Sequence, residues 1–173
     1  RNFQANAQMH LLEAALAWEQ ADPDPAWAAL SDEIAGLAMA RLVDADGVLH
    51  EFFDADWRAL PGEADLIEPG HQFEWAWLLD RWGAARGQAD ARTTARRLFA
   101  TGRRGFDPAR NVVVNALKPD LSVRDAGARL WPQTEHLKAA LALGDREAAL
   151  QAANGLAAYL DTPARGAWRE RMR

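Results

Sequence analysis

Cysteine is absent from the 173 residues, which excludes a disulfide scaffold, a thiolate metal centre and a cysteine nucleophile. Serine is almost as scarce. Ser31 and Ser122 are the only two, and neither lies in a Gly-x-Ser-x-Gly elbow, so serine-hydrolase chemistry has no support. Lysine is confined to Lys118 and Lys138 among 20 basic residues, and the formal net charge of −5 argues against a nucleic-acid partner. No glycine-rich phosphate loop or dinucleotide fingerprint is present, and no nucleotide cofactor is expected. No apolar run approaches the length of a membrane span, and Arg1-Asn2-Phe3-Gln4 does not open a signal peptide. These absences lead to the expectation of a soluble, cytoplasmic protein with no membrane partner.

What is present is apolar residues at 49%, enough for one core, and eight tryptophans. An indole fills a core, but it also offers a flat apolar face and a hydrogen-bond donor on which a sugar ring stacks. Helical periodicity runs over residues 5–21, 26–43, 70–87, 90–103, 127–143 and 145–160. The segments come in pairs. Short turns at Asp22-Pro23-Asp24-Pro25, Gly87-Gln88-Ala89-Asp90 and Gly144-Asp145 close each pair, while the connections between pairs are long and hold β-like runs, residues 47–53 and 111–117. Val48 and Val112 stand 64 residues apart, the spacing of an internal repeat.

Helix, short turn, helix and a long hairpin-bearing loop is the unit of an α/α toroid, in which inner and outer helices alternate. A superhelical solenoid of helix pairs is the competing architecture. The toroid is favoured because the first helix of each pair carries the unusual polar residues and the second reads as an amphipathic, arginine-studded outer helix, as in Ala91-Arg92-Thr93-Thr94-Ala95-Arg96-Arg97-Leu98-Phe99. The fold expected is therefore all-α, about three helix pairs of a six-hairpin barrel, with residues 1–173 forming part of one domain. Three pairs do not close a ring, so an apolar edge is expected along the first pair and self-association through it is a liability.

On the inner helices, Asn6, His10 and Glu13 share one stripe, His71 and Glu74 share another, and Trp131, Glu135 and Lys138 a third. Three successive helices thus aim titratable or sugar-stacking residues at a common axis. His71 and Glu74 have a spacing found in some metal sites, but no second histidine follows at His-Glu-x-x-His spacing, and no metal is expected. The pair Glu74 and Glu135 leaves a glycoside hydrolase open, and a non-catalytic helical module that binds a sugar or a protein is the remaining alternative. His50 and His136 are assigned to a loop and to a helix surface.

The stretches Asn6-Ala7-Gln8-Met9-His10-Leu11-Leu12-Glu13, Glu51-Phe52-Phe53-Asp54-Ala55-Asp56-Trp57, Glu68-Pro69-Gly70-His71-Gln72-Phe73-Glu74-Trp75 and Trp131-Pro132-Gln133-Thr134-Glu135 resemble, in this order, the second half of the N-acylglucosamine 2-epimerase family. The resemblance implies a sugar isomerase or 2-epimerase that works without a cofactor on a monosaccharide or sugar phosphate, mannose and its relatives included. It implies that His71 is the acid/base histidine that takes the proton beside the carbonyl and forms a cis-enediolate, with Glu74 accompanying it. By the same resemblance His10 serves ring opening or substrate contact, and Asn6, Glu13, Trp131 and Glu135 are expected around the sugar. Two departures stand out. Gln8 replaces a histidine of the family's Asn-x-His-Met-His, and the partner histidine expected near residues 166–171 is missing, since no histidine follows His136. An arginine that the family supplies from its first half is missing as well. The chain alone is therefore expected to turn over sugar negligibly. At the start of its helix, His71 is expected to be neutral near pH 7, because the dipole there disfavours an imidazolium.

Overall fold

The computed structural model describes residues 3–60 and 66–172. Within them, helices α1 (Ala5–Ala21), α2 (Pro25–Leu37), α3 (Pro69–Arg86), α4 (Ala89–Arg103), α5 (Leu130–Ala142) and α6 (Arg146–Leu160) pack as three hairpins, α1 on α2, α3 on α4 and α5 on α6. The local reasons lie in the sequence. Pro25 opens α2 and Asp24 caps it through the Ala26 N–H at 2.9 Å. Pro69 opens α3, which ends at Gly87 in the left-handed conformation, φ 66°. Asp145 caps α6 by accepting from the Ala148 N–H at 3.0 Å.

Two boundaries differ from the sequence expectation. The helix expected over 26–43 is α-helical only to Leu37 and continues as a π-helical turn, Ala38–Leu42. The helix expected from 127 begins at Leu130, because Ala128–Arg129 is drawn into extended pairing with Arg171–Met172. Pro132 is the third residue of α5, where its missing N–H would have had no partner inside the helix.

The first helices of the hairpins also touch one another, with α3 between α1 and α5. This central place explains why α3 is buried nearly all round, Gln72 to Asp80 without a break. Each inner helix is entered from an extended segment tied to a loop. Phe3–Gln4 pairs with Phe52–Phe53 before α1, Ile67 bridges to Leu117 before α3, and Ala128–Arg129 pairs before α5. The long loops therefore collect at the N-terminal rim of the inner helices.

A buried amide clasp recurs in the second and third inner helices, its loop residues Leu49 and Val113 standing 64 positions apart and its glutamines, Gln72 and Gln133, 61. Gln72 of α3 accepts from the Leu49 N–H at 3.1 Å and donates to the Leu49 carbonyl at 2.9 Å. Gln133 of α5 does the same to Val113, at 2.7 and 2.9 Å. Each glutamine thus stands in for a strand and pins one loop residue to an inner helix. Leucine at either position would strand a buried N–H and a buried carbonyl, so Gln72→Leu and Gln133→Leu are each expected to cost about 2–4 kcal/mol in urea unfolding. Loss below about 1 kcal/mol would mean that the clasps are incidental.

The expected apolar edge exists on α1, where Leu11 and Trp18 are exposed. The third hairpin, where none is expected from the sequence, has one as well: Leu141 and Leu150 are exposed and line a groove of about 350 Å³ between α5 and α6, and Leu160 is exposed at the end of α6. The assignment of His136 to a helix surface is wrong. It is 1% exposed and stacks on Phe73 at 4.6 Å, with Phe99 and Phe106 around it, and burial pushes its pKa down to about 4. The side chain follows Glu135 by one residue and is carried by the helical turn away from the inner surface into the aromatic packing behind it. His50 is in a loop, as expected, with Nε2 3.2 Å from Asp44.

Candidate active site

The three inner helices line an open cavity of about 510 Å³. Asn6, His10 and Glu13 reach it from α1, His71 and Glu74 from α3, and Trp131, Glu135 and Lys138 from α5. Every candidate site residue drawn from the sequence lines this one cavity, because the helical period fixes which residues share a face. Glu68 and Arg129 complete the lining. They are the residues immediately before α3 and α5, and they pair at 3.0 Å.

His71, the third residue of α3, is buried but for 12% of its side chain. Its Nδ1 lies 2.8 Å from Oε2 of Glu51, itself buried. A carboxylate there requires Nδ1 to carry the hydrogen, which leaves Nε2 as the nitrogen able to accept a proton. Burial lowers the His71 pKa, but the Glu51 hydrogen bond and the charges of Glu51, Glu68 and Glu74 together outweigh it, and the net shift is upward. The helix-dipole expectation of a neutral imidazole is therefore offset by a carboxylate that the sequence reading did not assign. A signal for it existed: Leu49, Glu51 and Phe53 alternate inward along one extended run, so an acid occupies a core phase. One Glu51 oxygen, Oε1, has no hydrogen-bond partner among the described residues.

Glu74 does not fix the tautomer of His71. Its Oε1 is instead 3.7 Å from His10 Nδ1, which is also 3.7 Å from Glu13. Burial, then the charge of Glu135, raises the Glu74 pKa to about 7. The native state thus holds a proton that the unfolded chain gives up between about pH 4.5 and 7, and stability falls as pH rises through that window. Glu74→Gln is therefore expected to raise stability above pH 7 by on the order of 2 kcal/mol and to change it little at pH 4.5. Thermal melts at the two pH values check this, and an equal gain at both would point to packing instead.

Glu135 is held on both oxygens. Trp77 Nε1 donates to Oε2 at 2.9 Å, and the Lys138 ammonium, 4.2 Å above the Trp77 ring, lies 3.0 Å from the same oxygen and 3.2 Å from Oε1. Trp131 faces His71, ring centroids 5.1 Å apart, and lies against Gly70, where any side chain would collide with it. Most other tryptophans serve packing: Trp75 is fully buried, Trp82 donates to Asp32 at 2.8 Å and Trp18 stacks on Trp27. His10, Glu13 and Glu74 bring potential ligand atoms within 4.8 Å of one another, with the Lys138 ammonium 3.7 Å from Glu13 on the same side.

An imidazole backed by a buried carboxylate, an acid held near neutrality and an indole wall can move a proton on a polar, ring-shaped ligand. The chain is 50% identical, over 184 aligned residues, to a mannose-6-phosphate isomerase of Rhizobium meliloti (strain 1021), an alignment covering 98% of this chain and 48% of that protein. Its fold matches a crystal structure of D-mannose isomerase with a TM-score of 0.86 at 23% identity, over 99% of this chain and 47% of the other. The cellobiose 2-epimerase of Bacillus thermoamylovorans B4167 matches with a TM-score of 0.82 at 19% identity, over 99% and 46%. The chain thus spans about half the length of these relatives, and its three hairpins form an arc of the α/α toroid. The family model for N-acylglucosamine 2-epimerase (GlcNAc 2-epimerase) matches residues 2–173, and the chain belongs to that family.

Proposed function

We propose that residues 1–173 are the C-terminal part of a sugar isomerase or 2-epimerase that converts an aldose to its ketose or its C2 epimer through an enediolate. The observation that carries this reading is the convergence of His71, backed by buried Glu51, with His10, Glu74 and Trp131 on one cavity. Neutral His71 takes the C2 proton of the open-chain sugar on Nε2, and the electron pair left behind spreads over C1, C2 and the carbonyl oxygen. Return of a proton to C1 gives the ketose; return to the opposite face of C2 gives the epimer. His10, on the same cavity, is assigned to sugar contact during ring opening. Glu74, with its pKa near 7, offers a hydrogen to an oxygen as charge develops. Asn6 and Glu13 bind hydroxyls and Trp131 stacks on the ring. Glu135, tied to Trp77 and Lys138, is a binding residue, which weighs against a hydrolase that needs a free carboxylate pair.

Among the described residues no helix is long and apolar enough to cross a membrane. We assign the protein to the cytoplasm, where such sugars are interconverted, and take the exposed edges of the first and third hairpins as the surfaces through which the isolated chain would self-associate. The function is tested by combining the chain with the part of the Rhizobium meliloti relative it does not cover and incubating it with mannose in deuterated water. Deuterium at C1 of the fructose formed, or at C2 of glucose or recovered mannose, with no loss on adding EDTA, is the expected result. Absence of label, or activity abolished by the chelator, would overturn it.

A further inference from the structure

Among the described residues eight large apolar side chains are exposed, and five of them lie on the two end hairpins of the arc: Leu11 and Trp18 on the first, Leu141, Leu150 and Leu160 on the third. Whole helix faces are apolar there. On α1 the exposed residues Ala7, Leu11, Ala14, Trp18 and Ala21 follow spacings of four and three, the pattern of a seam that meets another helix. On α6 the exposed residues Leu150, Ala153, Ala157 and Leu160 repeat it. Leu150 and Ala153 also line the α5–α6 groove, together with Leu137 and Leu141 of α5. Because α3 packs between α1 and α5, these two exposed faces are the free ends of the arc.

Curvature, charge and area point to one occupant for both faces. The three hairpins match the D-mannose isomerase structure with a TM-score of 0.86 over 99% of the chain, so they keep the bend of a closed six-hairpin toroid. A two-fold axis along the inner helices brings the first face of one copy onto the third face of another, twice, and the ring closes with every inner helix still parallel. Other pairings are worse. Residues 5–42 hold six carboxylates against Arg41 alone, so two first faces would set like charges together. Two third faces would leave Leu11 and Trp18 in water. Joined to the third face, the first instead meets Arg146 at the groove. The 17 residues of α1 make a rod about 25 Å long and about 10 Å wide, or roughly 250 Å² of face. Two such contacts, counted on both copies, reach roughly 1,000 Å² before the outer helices add theirs, which is where specific interfaces begin. We propose that two copies of this chain close head to tail into one ring, with Leu11 and Trp18 of each seated at the α5–α6 groove of the other. The pairing also completes the cavity, which is open where the ring is interrupted and gains its missing wall from the partner's inner helices. It holds whatever the cavity binds, and so stands or falls apart from the proposed sugar reaction.

Sedimentation equilibrium of the 173-residue chain over a range of protein concentrations is expected to give twice the 19.1 kDa of one chain and no larger species. Leu11→Glu and Leu150→Glu each place a charge at an exposed position, and both should give monomers with undiminished helical circular dichroism, because closure needs both faces. The direction of pairing is read by trapping. The chain has no cysteine, so Leu11→Cys and Leu150→Cys carry one thiol each. A short bismaleimide should join the two proteins when they are mixed and leave each unjoined when it is alone. Should a glutamate variant lose its helices, the trapping decides. A wild-type monomer at every concentration, an open-ended series of oligomers, dissociation by only one well-folded glutamate variant, or cross-linking within either cysteine variant alone would each overturn the proposal.

Discussion

His71→Ala is expected to lower exchange of the C2 proton with solvent by about 10²–10⁴-fold, the share a general base contributes. Glu51→Gln should lower it by at least about tenfold while leaving the imidazole in the cavity. The second variant is the more informative. In the wild type, burial alone would depress the His71 pKa, and the Glu51 carboxylate is the first of the groups that raise it past its ordinary value. The base is competent only when neutral, so the acid limb of the rate profile should lie above pH 6.5. Removing the Glu51 charge leaves burial dominant against the more distant Glu68 and Glu74, and the limb should move to lower pH as the maximal rate falls. The tautomer argument points the same way, since only a carboxylate 2.8 Å from Nδ1 demands a hydrogen there; an amide can accept or donate. A residue that merely packed would change the rate without moving the limb. The measurement is C2 exchange in deuterated water from pH 5 to 9, using the chain combined with the remainder of its relative, and an unmoved limb would remove Glu51 from the mechanism.

The sequence carried the cavity because the cavity is made of helix faces. Asn6, His10 and Glu13 could be placed together from spacing alone, as could His71 with Glu74 and Trp131 with Glu135, and all seven meet in one volume. The same periodicity contained the correction for His136, since one residue past Glu135 the helix has turned about 100° and faces the aromatic core. Contacts through loops were a different matter. Glu51 meets His71 across 20 residues of chain, by way of an extended run whose register nothing local specifies. Glu68 and Arg129 were readable as residues preceding helices, but their pairing joins segments 61 residues apart. The start of α5 was misplaced for a related reason: the pairing that extends Ala128–Arg129 comes from Arg171–Met172, near the far end of the chain.

Gly70→Ala is expected to cost about 10²-fold in kcat/KM with only a modest loss of stability. Gly70 is the second residue of α3 and has ordinary helical geometry, so the backbone itself would accept alanine and favour it by up to about 1 kcal/mol. Space decides otherwise. A β-carbon at this position would collide with the six-membered edge of the Trp131 indole and come within 3.1 Å of Pro132 Cβ. Overpacking of this kind costs about 1–3 kcal/mol, so the two effects nearly cancel in stability. They do not cancel in the site. The indole must move, and it is the wall facing His71 at 5.1 Å and lying under the Arg129 guanidinium at 5.3 Å. If Trp131 positions the sugar over His71 as proposed, a displacement of about 1 Å in it is enough for a hundredfold loss. Kinetics on Gly70→Ala, Trp131→Ala and the double variant, each in the chain combined with the remainder of its relative, separate the causes. If the methyl acts by displacing the indole, Gly70→Ala should add little once Trp131 is already alanine, giving a coupling close to the whole single-variant effect. Full additivity would mean that Gly70 acts through α3 itself, and wild-type kinetics in Gly70→Ala would mean that the sugar does not rest on Trp131.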